Sequence, residues 1–141
     1  MAARTPTFNL SRTFAYLARA GPGERLDTRQ KGFWASLADR DLDGYLVGQV
    51  AMRRNTAWER HRDGDELLVM LTGALDVVLD HDDAAEQVIE LCAGRSLLVP
   101  ATVWHRQLVR TPGDLLFITP GPGTDRRGVR EHAAARQSPH S

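Results

Sequence analysis

This 141-residue chain lacks paired cysteines, an excess of charge of either sign and long apolar runs, and each absence excludes a class of protein. Cys92 is the single cysteine, which excludes an internal disulfide and is typical of a reducing compartment. Lys31 is the single lysine and the formal net charge is zero, so no overall field attracts nucleic acid or acidic membranes. No apolar run approaches the roughly 20 residues of a membrane span, and the opening residues lack a secretory signal. We therefore expect a cytoplasmic protein with no nucleic-acid and no membrane partner.

The sequence that is present predicts an all-β body. Hydrophobic residues make up 42% and charged residues 26% of the chain, as in a soluble globular domain. Between residues 44 and 121, short runs rich in Leu, Val and Ile alternate with Gly, Pro or Asp clusters about every ten residues. Examples of these runs are "YLVGQVAMR", "ELLVMLTG", "ALDVVLD" and "DLLFITP". This regular spacing of short apolar runs favours a β sandwich or barrel over a βαβ fold, because no helical segment between them is long enough for a parallel crossover.

The two ends of the chain lack the regular strand pattern of residues 44–121. Residues 1–43 form an arm in which "RTFAYLA" is a candidate strand and "FWASLADRDL" carries Phe33, Trp34 and Leu37 with helical spacing, which predicts one short helix. The segment 122–141 loses the apolar period, so we expect a loose extension from Gly121, with at most a helical turn in "VREHAAARQ".

Four polar residues stand beside strands that read as core. Glu59 and His61 are two apart, so an extended strand presents both on one face. The "RDGD" segment that follows predicts a tight turn, which would return the chain beside the first strand and bring Glu66 close to this pair. His105 begins a later strand after Pro100 and offers a fourth side chain.

Buried carboxylates cost free energy unless something compensates them. Two imidazoles and two carboxylates form a reasonable ligand set for iron, manganese, nickel, cobalt or zinc, and a bound cation would provide that compensation. On spacing alone, a solvated charged edge of the sheet remains the alternative.

The first of two segments resembles a motif of the cupin superfamily: Gly, five residues, His-X-His, three or four residues, Glu, six residues, Gly. Glu59 stands at the first His position, His61 at the second, and Glu66 and Gly73 follow at the motif spacing. Arg53 replaces the leading Gly. The stretch "WERHRDGDELLVMLTG" also resembles small single-domain bacterial cupins that carry Trp-Glu-X-His and Gly-Asp-Glu.

The second segment resembles the other cupin motif: Gly, five residues, Pro-X-Gly, two residues, His, three residues, Asn. Gly94, Pro100 and His105 fall at the motif spacing, while Thr102 replaces the Gly and Val109 the Asn. The resemblance implies a jelly-roll (double-stranded β-helix) cupin barrel over 44–121, one divalent metal ion inside it, and a homodimer. It also implies a ligand set, in which the metal would be held by Glu59, His61, Glu66 and His105.

Alternation along the ligand strands places further residues on the inner face. Four of them are expected to line a substrate pocket, namely Leu68, Met70, Gln107 and Val109. For the aliphatic members ordinary core is the alternative, and for Gln107 a surface position is. Trp58 and Trp104 each precede a proposed ligand, so alternation turns them away from the metal. Cys92 is expected to be a small buried hydrophobe.

Three functions are open at this point. The first is a metalloenzyme acting on a small organic substrate by dioxygenase-, isomerase- or cyclase-type chemistry, with Glu59 and Glu66 as candidate catalytic carboxylates. The second is a non-catalytic cupin module that binds a ligand or metal. The third is a metal-independent sugar isomerase or epimerase, which is disfavoured because such cupins use a Tyr in the barrel, whereas Tyr16 and Tyr45 lie outside the ligand strands.

Overall fold

The computed structural model describes residues 6–121 and 123–127. Within them the chain forms one short helix, α1 (Phe33–Ala38), and eleven strands. In chain order the strands are β1 (Thr13–Leu17), β2 (Glu24–Asp27), β3 (Tyr45–Met52), β4 (Trp58–His61), β5 (Glu66–Met70), β6 (Ala74–Asp80), β7 (Gln87–Cys92), β8 (Ser96–Val99), β9 (Trp104–Thr111), β10 (Gly113–Pro120) and β11 (Thr124–Arg127).

The strands form two antiparallel sheets. One has six strands in the order β2-β1-β3-β10-β5-β8, and the other has five in the order β11-β4-β9-β6-β7. Their inner faces contribute to a single hydrophobic core. This arrangement is a jelly-roll β fold, which confirms the predicted fold class.

The core follows the alternation of side chains along the strands. Leu68 and Met70 on β5 belong to the same hydrophobic core as Leu75, Val77 and Leu79 on β6, and all five are at most 3% exposed. Burying one such side chain is worth about 1.5–3 kcal/mol. The predicted common face of Glu66, Leu68 and Met70 is confirmed, because the three are the buried residues of β5.

The N-terminal segment packs onto the body through aromatic rings. Phe14 on β1 makes edge-to-face contacts with Phe33 and Trp34 of α1 and with Phe117 of β10, with ring centroids 5.1–5.7 Å apart. The predicted early strand and the predicted short helix are both present. No helix in the described part of the chain has the length and hydropathy needed to cross a membrane.

The connection between β4 and β5 differs from the prediction. We expected "RDGD" to fold β5 back beside β4, but β4 belongs to the five-stranded sheet and β5 to the six-stranded one. The four residues from 62 to 65 therefore carry the chain from one sheet to the other. Because the two inner faces oppose each other, Glu66 still faces Glu59 and His61, across the interior instead of along one sheet.

Two further expectations are wrong. Thr124–Arg127 form β11, which pairs with β4, where the sequence predicts a loose extension from Gly121. "TDRR" has no apolar alternation, so only its pairing partner makes it a strand. Cys92 is exposed instead of buried. The helical turn expected in "VREHAAARQ" lies outside the described residues.

Gly73 and Gly94, the two motif glycines present, provide a matched pair for a stability test. Both have positive φ, but a Cβ on Gly73 would lie 2.5 Å from the Thr111 carbonyl oxygen, whereas a Cβ on Gly94 would meet nothing within 4 Å. We expect Gly73→Ala to lower the free energy of unfolding by about 3 kcal/mol, since clash adds to left-handed strain, and Gly94→Ala by about 1–2 kcal/mol. Urea denaturation measures both, and equal losses would contradict this assignment.

Thr102 stands where the cupin motif has glycine, and it has a φ of 70°. A β-branched residue is strained in this conformation. We expect Thr102→Gly to raise the free energy of unfolding by about 0.5–1 kcal/mol, because relief of about 1–2 kcal/mol of strain exceeds the entropy that glycine adds to the unfolded chain. Thr102→Ala is the control, since it keeps a Cβ and should gain less. A lower urea midpoint for the glycine variant would refute the strain.

Candidate metal centre

The structure brings together the four polar residues that the sequence singles out. One potential ligand atom from each of Glu59, His61, Glu66 and His105 lies within 4.8 Å of the others. Glu59 and His61 come from β4 and Glu66 from β5, while His105 on β9 is the direct cross-strand neighbour of Glu59. Three strands from two sheets thus converge on one point of the interior.

Three of the four side chains in this cluster are almost completely buried. His61 is 3%, Glu66 4% and His105 1% exposed. The Nε2 atom of His105 lies 3.1 Å from Glu66 Oε1, and that of His61 lies 3.3 Å from Glu66 Oε2. Glu59 is more open, and its Oε1 lies 3.9 Å from His61 Nε2. Glu66 is therefore the central carboxylate, with one imidazole beside each oxygen.

The imidazoles keep Glu66 ionised. Burial by itself raises the pKa of Glu66, but hydrogen bonding and the charges of His105 and His61 outweigh it and bring the pKa to about 2. For His105, burial lowers the pKa, and the hydrogen bond to Glu66 with its negative charge more than reverses this, so the pKa is raised. The cluster therefore holds negative charge that attracts either protons or a cation.

The outward-facing ring nitrogens show that the imidazoles suit a metal. His105 Nδ1 lies 3.2 Å from the carbonyl oxygen of Val103, which can only accept, so Nδ1 carries the proton. His61 Nδ1 lies 2.9 Å from Thr124 Oγ1. In the described structure the buried Nε2 of His61 has no hydrogen-bond partner. An outer contact on Nδ1, with Nε2 turned to a shared point, is how metal-ligating histidines are oriented.

The carboxylate and the loops around the cluster are held by neighbours outside the predicted ligand set. Thr119 on β10 donates its hydroxyl hydrogen to Glu66 Oε2. Asp65 accepts a hydrogen bond from the Ala101 N–H at 2.8 Å, and the Thr102 N–H donates to the His61 carbonyl oxygen at 2.7 Å. These bonds tie the turn after His61 to the turn before His105. Thr119 follows an ordinary apolar run, so no local signal identifies it.

Glu59 lies between the cluster and a cation. Its Oε2 atom is 3.5 Å from the Nε atom of Arg126 on β11, and the Arg126 guanidinium lies 6.0 Å from the centre of the Trp34 ring of α1. The ion pair is largely open to solvent, so its own contribution to stability is small. It nevertheless leaves Glu59 with one oxygen turned toward His61 and the other engaged elsewhere.

A cavity of about 670 Å³ opens beside the cluster. Its wall is mainly apolar, with Leu46 and Val50 from β3, Leu115 and Phe117 from β10, and Leu37 from α1. Glu59, His61 and Glu66 also contribute to the lining. A pocket of this size is typical of small-molecule sites, which combine apolar walls with a few polar groups.

The four residues expected to line a substrate pocket have different positions. Gln107 lines the cavity and is 7% exposed, so the surface alternative does not hold for it. Leu68 and Met70 lie in the hydrophobic core, and Val109 packs against that core, so none of the three is among the lining residues. Alternation identified the inner face correctly, but it does not distinguish core from cavity wall.

The opposite face of the five-stranded sheet is covered by arginines. The guanidinium of Arg127 lies 4.4 Å from the ring centre of Trp104 and 5.3 Å from that of Trp58. Arg60 lies 4.6 Å from Trp104, and Arg106 lies 5.8 Å from Trp58. Both tryptophans thus point away from the cluster, as alternation predicts, and cation–π contacts hold this face.

Among solved structures, the chain is similar to the oxalate decarboxylase of Lactobacillus farciminis, with 13% identity over 65% of this chain and 28% of that one and a TM-score of 0.50. It is similar to Peruvianin-I, a cysteine peptidase from Thevetia peruviana latex, with 14% identity over 60% of this chain and 56% of that one and a TM-score of 0.51. A cupin-2 domain containing protein from Shewanella frigidimarina is 25% identical over 57% of this chain and 74% of that one, with a TM-score of 0.47. No protein-family model and no curated protein sequence matches the chain.

The first two likenesses show the fold. This fold, together with the two motif spacings, supports the resemblance to the cupin superfamily. The matched regions span 56% of Peruvianin-I and 28% of the decarboxylase, so their activities are not transferred here. The Trp-Glu-X-His group within the superfamily remains a prediction.

Proposed function

We propose that this protein is a cupin that holds one divalent metal ion with Glu59, His61, Glu66 and His105 and acts as an enzyme on a small organic molecule bound in the adjoining cavity. The observation that carries the proposal is the convergence of four ligand atoms within 4.8 Å, three of them on buried residues, beside a cavity of about 670 Å³. A metal bound there would supply Lewis-acid or oxygen-activating chemistry.

The donor set supports this assignment on charge and geometry. Two carboxylates balance a divalent cation, so binding would relieve the cost of burying Glu66. Both histidines turn Nε2 toward Glu66 and keep Nδ1 in an outer contact. Mixed nitrogen and oxygen donors suit several transition metals, and the ligands do not select among iron, manganese, nickel, cobalt and zinc.

The two carboxylates would have different tasks. Glu66 has one oxygen beside His105 and the other bonded to Thr119, so it is fixed in place and serves to hold the cation. Glu59 lines the cavity and is the more exposed of the two. Of the two candidate catalytic carboxylates, Glu59 is therefore the one placed to accept a proton from a bound molecule, since a base must reach its substrate.

The test asks whether the metal keeps positions open for a ligand. Catalytic sites retain open positions, whereas purely structural sites are closed by protein. We expect manganese(II)-loaded protein to relax water protons more strongly than free manganese(II), because water exchanges at a slowly tumbling ion. No enhancement with tightly bound manganese would indicate a closed site and favour a non-catalytic metal-binding module, and no manganese binding would refute the proposed ligand set.

A further inference from the structure

Gln107 is a polar residue in the cavity wall that the metal cluster does not use. It lies on β9 two positions after His105, so both side chains are on the inner face of the strand. The residue is 7% exposed and lines the cavity beside Thr56. A buried amide in a mainly apolar wall requires hydrogen-bond partners for both its oxygen and its nitrogen.

The contacts with Thr56 satisfy only the amide oxygen. The backbone N–H of Gln107 donates to Thr56 Oγ1 at 2.9 Å, and Thr56 Oγ1 donates its single proton to Gln107 Oε1 at 2.9 Å. In the structure the amide is therefore oriented with its oxygen on the Thr56 hydroxyl and its nitrogen away from it. In the part of the chain that the structure describes, no residue accepts a hydrogen bond from the amide nitrogen.

The other polar side chains near the cluster are already engaged. Thr124 contacts His61, Thr119 bonds to Glu66, and Arg126 pairs with Glu59. The wall nearby is apolar, with Met52 and Leu115 among its residues. The amide nitrogen of Gln107 is therefore an available donor in an apolar surrounding. A hydrogen bond is stronger there than in water, so it discriminates more strongly between molecules with and without an acceptor.

We propose that Gln107 determines specificity by donating a hydrogen bond to an oxygen atom of the bound molecule, whose other end reaches the metal. The ligand class that follows is a compact, mainly apolar molecule with an oxygen function at each end. His105 and Gln107 leave the strand about 6–7 Å apart, so a molecule that reaches both the metal and the amide carries oxygen functions separated by a distance of this order. This inference rests on the proposed metal site and adds the class of substrate.

The test uses two chelating probes of nearly equal shape, 4-acetylbenzohydroxamate and 4-isopropylbenzohydroxamate, on zinc-loaded protein. The hydroxamate binds the metal, and only the acetyl group offers an acceptor to Gln107. By calorimetry we expect the acetyl probe to bind roughly tenfold more tightly than the isopropyl probe, the difference one hydrogen bond makes. The variant Gln107→Leu should lose this preference and still bind the isopropyl probe as the wild type does.

An NMR measurement and a comparison with metal-free protein distinguish failure of the Gln107 assignment from failure of the metal site. In wild-type protein the acetyl probe should shift the ¹⁵N–¹H resonances of the Gln107 side-chain amide more than the isopropyl probe does. This measurement does not depend on whether a variant folds. Metal-dependent binding of both probes without an acetyl preference would overturn the role of Gln107 and leave the metal site standing. Binding of neither probe, or equal binding after the metal is removed, would overturn the proposed function and this inference with it.

Discussion

Replacing His105 or His61 with alanine should abolish stoichiometric metal binding and remove the metal-dependent part of the thermal stability. A metal that binds only the native state adds about 2.7 kcal/mol at a free concentration 100 times its Kd. For a domain of this size that corresponds to roughly 5–10 °C in Tm. In the wild type we expect Tm to rise by this amount when metal is added to chelator-treated protein, and in either variant we expect no such rise.

His81→Ala is the matched control, because it removes an imidazole whose contact is with Gln87 at 3.3 Å and which is not part of the cluster. The control should keep the full metal-dependent rise. Comparing each protein with and without metal also separates ligand loss from the cavity that any truncation of a buried side chain leaves. A metal-dependent rise in His105→Ala equal to that of the wild type would show that His105 is not a ligand.

Glu66→Gln and Glu59→Gln should weaken metal binding unequally. Glu66 lies between both imidazoles and is buried, so loss of its charge is expected to raise the Kd by about 100-fold or more, since even outer-shell changes cost roughly 10–100-fold. Glu59 lies farther from His61 and shares its carboxylate with Arg126, so its replacement should raise the Kd about tenfold. Both losses should be smaller than that of His105→Ala.

Both glutamine variants keep the size of the side chain, so each serves as the shape control for the other. Competition with a fluorescent chelator gives the two Kd values on one scale. The ranking is the informative result, because it distinguishes a site organised around Glu66 from one in which the four residues contribute equally. A greater loss for Glu59→Gln would require the central ligand to be reassigned.

Much of this fold and site follows from local sequence rules. Alternation placed Glu66 on the face of Leu68 and Met70, and turned Trp58 away from the cluster, because a strand leaves its side chains only two directions. The motif spacing also singled out the four residues that the structure brings within ligand distance of one another. Both inferences depend on chain-local geometry, which the sequence carries directly.

What could not be predicted depends on contacts between distant segments. Thr124 reaches His61 because "TDRR" pairs with β4, and nothing in those four residues distinguishes a strand from a loop. The assignment of β4 and β5 to opposite sheets was not predicted for the same reason, since the turn residues are compatible with a hairpin and with a connection between the sheets. Gln107 was identified on the inner face, but the orientation of its amide, whose nitrogen has no acceptor among the described residues, depends on the position of Thr56, 51 residues away.

Elemental analysis of untagged protein purified without chelator, beside His61→Ala, His105→Ala and His81→Ala, is the most direct test of the metal site. We expect about one transition-metal ion per chain in the wild type and in His81→Ala, and almost none in the other two variants. Folded wild-type protein that carries no metal and takes up none when iron, manganese, nickel, cobalt or zinc is added would contradict the proposed metal site.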